Sequence, residues 1–104
     1  MSSVREWLKQ TAKINDSGYQ VTRPRIVCND GFSISVQGSS VHNCSPKRNL
    51  QNGDYWRVEA GYPNRVEELL LDYAYNRDEP MDTWYSLVPV DLVQEIVDKH
   101  GGMV

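Results

Sequence analysis

The chain has 104 residues and a net charge of −3, which leaves room for a single domain with one modest hydrophobic core. Hydrophobic residues make up 39% of the chain and charged residues 24%, proportions typical of a folded protein and not of a disordered one. No apolar run approaches the roughly 18 residues that a membrane helix needs, and the N-terminus lacks the apolar region of a signal peptide. We therefore expect a cytoplasmic protein in which both cysteines are free thiols.

The N-terminal part of the chain predicts one helix followed by a β-hairpin. Ser3 and Glu6 fit a capping box, and the apolar residues that follow recur at helical spacing, which predicts a helix over about residues 3–14. Residues 20–27 are typical of an extended segment, and the sequence Asn-Asp-Gly that follows Cys28 is typical of a tight turn. The alternation of apolar and polar residues over 32–37 then predicts a strand that buries one face.

The middle of the chain predicts a long loop, a third strand and a second helix. Residues 38–54 are polar and rich in turn-forming residues, which indicates an exposed loop. Alternation over 55–60 predicts a strand that ends at Gly61, and Asn64 is placed to cap a helix. The apolar face of that helix would carry Val66, Leu69, Leu70, Tyr73 and Ala74.

The C-terminal part predicts an acidic loop, an aromatic strand and a final helix. The loop covers residues 76–82 and the strand residues 83–88, while Pro89 is placed as the first residue of a helix that closes at Gly101. These elements together predict an α+β fold in one domain over 1–104. We expect an antiparallel sheet of about four strands, with three helices packed largely on one face.

Residues 28–44, CNDGFSISVQGSSVHNC, are where a metal site or a catalytic thiol would be sought first. Cys28, His42 and Cys44 could supply three zinc ligands, with Asp30 or His100 as a fourth, but structural zinc sites use close ligand pairs and only His42 and Cys44 are close. A Cys44 nucleophile would need His42 or His100 as its base, and no flanking motif supports either pairing. We interpret the segment as structural and expect no metal, no cofactor and no catalytic residue.

Two opposite hypotheses follow from the distribution of charge. Eight basic and four acidic residues precede Glu59, whereas seven acidic and two basic residues lie from Glu59 to Asp82. The basic part could form a nucleic-acid-binding face that tracks a backbone and stacks bases, although the net negative charge counts against it. The residues of that face would be Arg23, Arg25, Lys47, Arg48 and Arg57, with Tyr19, Tyr55 and Trp56. The acidic part could instead imitate a phosphate backbone and occupy a cationic groove on a partner protein, unless the two halves only neutralise each other across the sheet.

Three stretches, CNDGFSISVQGSSVHNCSP, VEAGYPN and YSLVPVDLVQEIVDKHGG, resemble small uncharacterised proteins of tailed bacteriophages and prophages, and the resemblance runs from about Arg25 to Gly102. It implies a protein made in the host cytoplasm that binds one host or phage protein, and inhibitors of host defence such as anti-CRISPR proteins are a prominent class among these. It transfers no catalytic residue.

We therefore expect a non-enzymatic, anti-CRISPR-like binding protein that inhibits a host defence complex, such as a nucleic-acid-binding effector, by occupying a protein surface. Binding to nucleic acid is the alternative, a small metal or thiol enzyme is a weaker one, and no membrane partner is expected. Aromatic residues contribute much of the binding free energy at many protein interfaces, so the predicted contact includes Tyr75 and Trp84 beside the acidic residues. The predicted contact residues are Glu67, Glu68, Asp72, Tyr75, Asp78, Glu79, Asp82 and Trp84.

Overall fold

The computed structural model describes residues 3–104, which form a four-stranded antiparallel sheet and three helices. The elements in chain order are α1 (Val4–Gln10), β1 (Ile26–Val27), β2 (Ser33–Gln37), β3 (Arg57–Gly61), a 3-10 helix (Glu68–Tyr73), β4 (Trp84–Pro89) and α2 (Val90–Lys99). The predicted α+β class and the four-stranded antiparallel sheet are confirmed. Within residues 3–104 no helix has both the length and the apolar character needed to cross a membrane.

The sheet has the strand order β1-β2-β3-β4, so each strand pairs with its neighbour in the chain. The turn after Cys28 joins β1 to β2 as predicted, with Gly31 at a positive φ of 91°. One face of the sheet packs on the helices, and its buried side chains form a single hydrophobic core with those of α1 and α2. The strand residues in that core are Ile26, Ile34, Val36, Val58, Ala60, Tyr85 and Val88.

Both edges of the sheet are covered by irregular chain. At the β1 edge the Val104 amide donates to the Val27 carbonyl at 2.8 Å, and residues 102–104 run beside the strand. At the β4 edge the Tyr75 amide donates to the Trp84 carbonyl at 3.0 Å, and the Leu87 amide donates to a loop carbonyl at 3.0 Å. These contacts occupy edge positions that would otherwise be open to pairing with another chain.

A β-bulge in β4 changes which residues face the core. Val58 lies opposite Val88, but Ala60 lies opposite Tyr85, so β4 carries one residue more than β3 over this stretch. The extra residue is accommodated at Leu87, whose φ is 52°. Strict alternation would place Tyr85 and Val88 on opposite faces, and the bulge allows both to be buried.

Two helix boundaries and the exposure of one loop differ from the sequence-based expectations. Helix α1 ends at Gln10, not near residue 14, although Ser3 caps it as predicted by accepting from the Glu6 amide at 3.1 Å. Pro89 is the last residue of β4 and precedes α2. The loop over 38–54 is not exposed throughout, because its backbone folds over buried side chains such as that of Cys44.

The second helix is shorter than predicted and has 3-10 geometry. Asn64 does not cap it, because its side chain accepts from the Ser33 amide and donates to the Gly31 carbonyl, both at 2.9 Å, and so binds the chain to the β1–β2 hairpin. The helix begins only after Glu67, whose carboxylate accepts from the Leu69 amide at 3.1 Å. Of the predicted apolar face only Leu70 is fully buried. The remaining members of that face are partly or largely exposed.

Candidate functional site

The predicted acidic segment folds into a hairpin that closes on β4. We call residues 74–85 the acidic hairpin, since Ala74 pairs with Tyr85 at its base. Its loop is internally bonded: the Asn76 amide donates to the Thr83 hydroxyl at 3.1 Å and the Asp82 amide to the Glu79 carbonyl at 2.9 Å. The acidic side chains of the loop are therefore carried on an ordered backbone.

An aromatic pair stands at the base of the acidic hairpin. The rings of Tyr75 and Trp84 are stacked, with centroids 4.3 Å apart and an interplanar angle of 19°. Tyr75 is 73% exposed even though one face of its ring lies on Trp84. Met81 in the loop is also largely exposed. A large aromatic ring held in one orientation and left open to solvent is typical of an interface anchor.

Five of the six predicted acidic contact residues have exposed side chains: Glu68, Asp72, Asp78, Glu79 and Asp82. Asp72 forms an ion pair with Arg77 at 3.5 Å, but both side chains are mostly exposed, so solvent screens the pair. No cation lies within ion-pair distance of the other four, as judged within residues 3–104. The carboxylates of these four residues therefore face solvent.

Glu67, the sixth predicted contact residue, is buried and belongs to a different cluster. Its carboxylate accepts from the Lys99 ammonium at 3.0 Å on both oxygens and lies 3.0 Å from Nε2 of His100. The Nδ1 atom of His100 lies 2.6 Å from the Asp30 carboxylate, which also pairs with Arg65 at 3.6 Å. We call these five residues the charged cluster.

The charged cluster stabilises the ionised form of its two carboxyl groups. Burial alone would raise the pKa of Glu67, but hydrogen bonds from His100 and Lys99 outweigh it and hold the pKa below its ordinary value. The pKa of Asp30 is also lowered, first by the hydrogen bond from the Phe32 amide and then by that from His100. Sequence reasoning missed this cluster because its members come from three separate elements.

The residues of the segment 28–44 do not come together as a metal or thiol site. Cys28 and Cys44 are both free and buried, and burial raises the pKa of each thiol. The Cys44 thiol donates to the Ser39 carbonyl at 3.1 Å. A nucleophilic cysteine requires the opposite shift, toward the thiolate. Across residues 3–104, no three His, Cys, Asp or Glu side chains are arranged to hold a metal ion.

A serine and a histidine of the loop over 38–54 lie beside a glutamate of β3. The Ser39 hydroxyl is 2.6 Å from Nδ1 of His42, and Nε2 of the same ring is 4.0 Å from Glu59. Ser39 is only 2% exposed, and its hydroxyl already accepts from the Val41 amide at 3.1 Å. Because the serine is inaccessible and bonded within its own turn, we interpret the group as a structural element of the 38–54 loop.

The proposed basic and aromatic face is divided between the interior and the surface. Arg23 is 3% exposed and Tyr55 is 1% exposed, so neither can contact a nucleic acid. Arg25 is exposed, but its guanidinium donates to the carbonyls of Ser33 and Tyr62 at 3.0 and 2.7 Å. The other members of the predicted face, Tyr19, Lys47, Arg48, Trp56 and Arg57, are exposed.

A cleft of about 520 Å³ lies between α1, β1 and the C-terminal residues. Trp7 and Gln10 line one wall, and Val27, Met103 and Val104 line the other. Its lining is drawn from α1, the edge strand β1 and the last residues of the chain, so no local motif in the sequence marks it. The lining drawn from residues 3–104 is mostly apolar, and the guanidinium of Arg25 at its rim donates to the carbonyls of Ser33 and Tyr62.

Comparison of the chain with protein-family models, with curated proteins and with solved structures finds no match.

Proposed function

We propose that this chain is a small non-enzymatic binding protein that uses the acidic hairpin to occupy a basic surface of a partner protein complex. The single observation that carries the proposal is the ring of Tyr75, which is 73% exposed yet fixed by stacking on Trp84. Because the sequence resembles small phage and prophage proteins, we take the partner to be a host defence complex with a nucleic-acid-binding groove. Occupation of that groove inhibits the complex in the manner of an anti-CRISPR protein.

The chemistry of the acidic hairpin suits a cationic partner. A guanidinium or ammonium group is attracted to the face of an aromatic ring, and arginine also stacks on such rings through its planar fork. The carboxylates of Asp78, Glu79 and Asp82 lie on the same loop and would add long-range attraction to a basic groove. Grooves that bind nucleic acid are rich in arginine and lysine, so they present the complementary surface.

The ordered loop supports the same proposal on energetic grounds. Hydrogen bonds from Asn76, Glu79 and Asp82 already fix the backbone of the loop. Binding therefore does not have to order this segment, and less of the interaction free energy is lost as conformational entropy. Of the contact residues predicted from the sequence, Asp78, Glu79, Asp82 and Trp84 lie in the acidic hairpin together with Tyr75, whereas Glu68 and Asp72 lie on the 3-10 helix that precedes it.

The proposal can be tested by capture from nuclease-treated bacterial lysate that contains common defence systems. The tagged wild-type protein is compared with a Glu79→Lys/Asp82→Lys double variant, whose replaced side chains make no ion pair within residues 3–104. The matched control is Asp16→Lys/Glu95→Lys, which makes the same change of net charge at exposed positions outside the acidic hairpin.

We expect the wild type and the control to enrich the same complex and the hairpin variant to lose it. Equal enrichment by all three proteins would contradict the acidic contact. Enrichment that appears only when nucleic acid is left intact would favour the nucleic-acid-binding alternative instead.

A further inference from the structure

The ring of His100 lies between two carboxylates at the C-terminus of α2. Its Nδ1 atom is 2.6 Å from Asp30 and its Nε2 atom is 3.0 Å from Glu67. The ring is stacked on Phe32 with centroids 4.1 Å apart and an interplanar angle of 10°, and its side chain is only 12% exposed. The ring is therefore held in one orientation by contacts on its edge and on its face.

The two short contacts require a particular protonation state. A carboxylate can only accept a hydrogen bond, and a ring nitrogen can only donate one if it carries a proton. A neutral imidazole carries one proton, so one of its nitrogens would turn a lone pair toward a carboxylate oxygen. Only the doubly protonated imidazolium satisfies both contacts.

Other charged groups of the cluster compensate both carboxylates independently of His100. Lys99 lies 3.0 Å from Glu67, and Arg65 lies 3.6 Å from Asp30 and also donates to the Asp30 carbonyl at 2.6 Å. Loss of a ring proton therefore does not leave an uncompensated carboxylate. Deprotonation weakens only the contact between the ring and a carboxylate. We therefore expect the 3-10 helix to open locally while the rest of the fold remains intact.

The ring connects three elements through these contacts. Asp30 belongs to the β1–β2 turn, and His100 follows the last residue of α2. Glu67 caps the 3-10 helix by accepting from the Leu69 amide, and its own carbonyl accepts from the Leu70 amide at 3.1 Å. That helix leads directly into the acidic hairpin.

We propose that His100 is a pH-operated latch. As an imidazolium it joins the Asp30 and Glu67 carboxylates and holds the 3-10 helix against the C-terminus of α2. When the ring loses a proton, the shorter Nδ1–Asp30 contact of 2.6 Å keeps the remaining proton and the Nε2–Glu67 contact of 3.0 Å breaks. The 3-10 helix is then held against α2 by Lys99 alone and opens more readily. The latch does not depend on the proposed binding function, because it is defined by contacts within the chain.

The latch is tested by nuclear magnetic resonance on the full chain labelled with ¹⁵N. Ring nitrogen spectra recorded from pH 5.5 to 9 report the protonation of His100 and of His42, which serves as an internal comparison because its ring contacts a serine hydroxyl at 2.6 Å. Amide hydrogen exchange of Leu69 and Leu70, corrected for the intrinsic effect of pH, is measured on the same samples. A His100→Gln variant, which keeps one donor and one acceptor, reproduces the bonding capacity of the neutral ring.

We expect the protection of Leu69 and Leu70 to fall by about tenfold over the pH range in which the His100 ring loses a proton, equivalent to the loss of one charge-assisted hydrogen bond. In His100→Gln the protection should be low at every pH. Protection that does not change as the ring loses its proton, or that is equal in His100→Gln and the wild type, would overturn the latch. A His100 ring that is already neutral at pH 5.5 would also overturn the latch.

Discussion

Replacement of Arg23 by methionine removes a guanidinium that enters the interior without a carboxylate. Arg23 takes part in no ion pair within residues 3–104, and burial lowers the pKa of its guanidinium. Its donors instead contact the Thr11 hydroxyl at 2.9 Å and the carbonyls of Gly38 at 3.0 Å and Leu8 at 3.3 Å. Leu8 lies in the last turns of α1, where the partial negative charge of the helix end favours a cation.

The magnitude follows from these three hydrogen bonds. A hydrogen bond that involves a charged group contributes about 1.5–3 kcal/mol, and a buried carbonyl left without a donor costs about 1–3 kcal/mol. Removal of the guanidinium also removes its desolvation penalty, which offsets part of the loss. We therefore expect Arg23→Met to lower the free energy of unfolding by about 3 kcal/mol. That is a large part of the roughly 5–15 kcal/mol typical of small domains.

The assay is equilibrium unfolding in urea followed by tryptophan fluorescence at pH 7. The control is Arg48→Met, which makes the same substitution at an exposed arginine. We expect the control to change the free energy of unfolding by less than about 0.5 kcal/mol. If Arg23→Met were as stable as the control, the interpretation of Arg23 as a buried connector between α1 and the 38–54 loop would be wrong.

Three further predictions concern the interior. The folded state holds the pKa of Glu67 below its ordinary value, so this carboxylate stabilises the fold at neutral pH, and the stabilisation is lost as the pH falls through the unfolded and then the folded pKa. Glu67→Gln should therefore be less stable than the wild type at pH 7. The difference in the free energy of unfolding, measured by urea titration, should shrink toward pH 3. Cys28 and Cys44 should react slowly with a thiol reagent in the native state and rapidly in denaturant, and fast native labelling would contradict their burial. A Cβ at position 38 would lie 2.8 Å from the Tyr55 ring, so Gly38→Ala should lower the melting temperature, and an unchanged melting temperature would show that the ring can move aside at no cost.

The sequence patterns identified most of the sheet because local signals and tertiary contacts agreed there. Alternating apolar residues in β2 and β3 marked the buried face, and the Asn-Asp-Gly turn after Cys28 marked the hairpin. Helix α2 was marked by apolar spacing that places Val90, Val93 and Val97 in the core. In each case the pattern depends on neighbours within about ten residues, which a single sequence displays directly.

The second helix was predicted less well because long-range contacts decide its start. Asn64 has the chemistry of a helix cap, yet its amide side chain is engaged by the β1–β2 hairpin, more than 30 residues earlier in the chain. The bulge at Leu87 was also missed, since a positive φ at leucine has no sequence signal.

The candidate site was predicted in part. The acidic residues of the loop over 76–82 and the Tyr75–Trp84 pair belong to one hairpin, so their proximity follows from their closeness in sequence. Glu67 lies one residue before Glu68 yet is buried, because Lys99 and His100 approach it from the far end of the chain. The residue type alone does not indicate whether a charged side chain is exposed. Exposure depends on contacts with residues that are distant in the sequence.

The measurement that tests the proposed function most directly is photocrosslinking from the position of Tyr75. A photoreactive phenylalanine derivative is introduced at Tyr75 in one variant and at Tyr19 in a second, since Tyr19 is 57% exposed and lies outside the acidic hairpin. Both are irradiated in bacterial lysate that contains the defence systems. We predict a covalent adduct with one host protein from position 75 and none from position 19. Capture of a partner with no adduct from position 75, or with equal adducts from both positions, would contradict a binding surface built on the acidic hairpin.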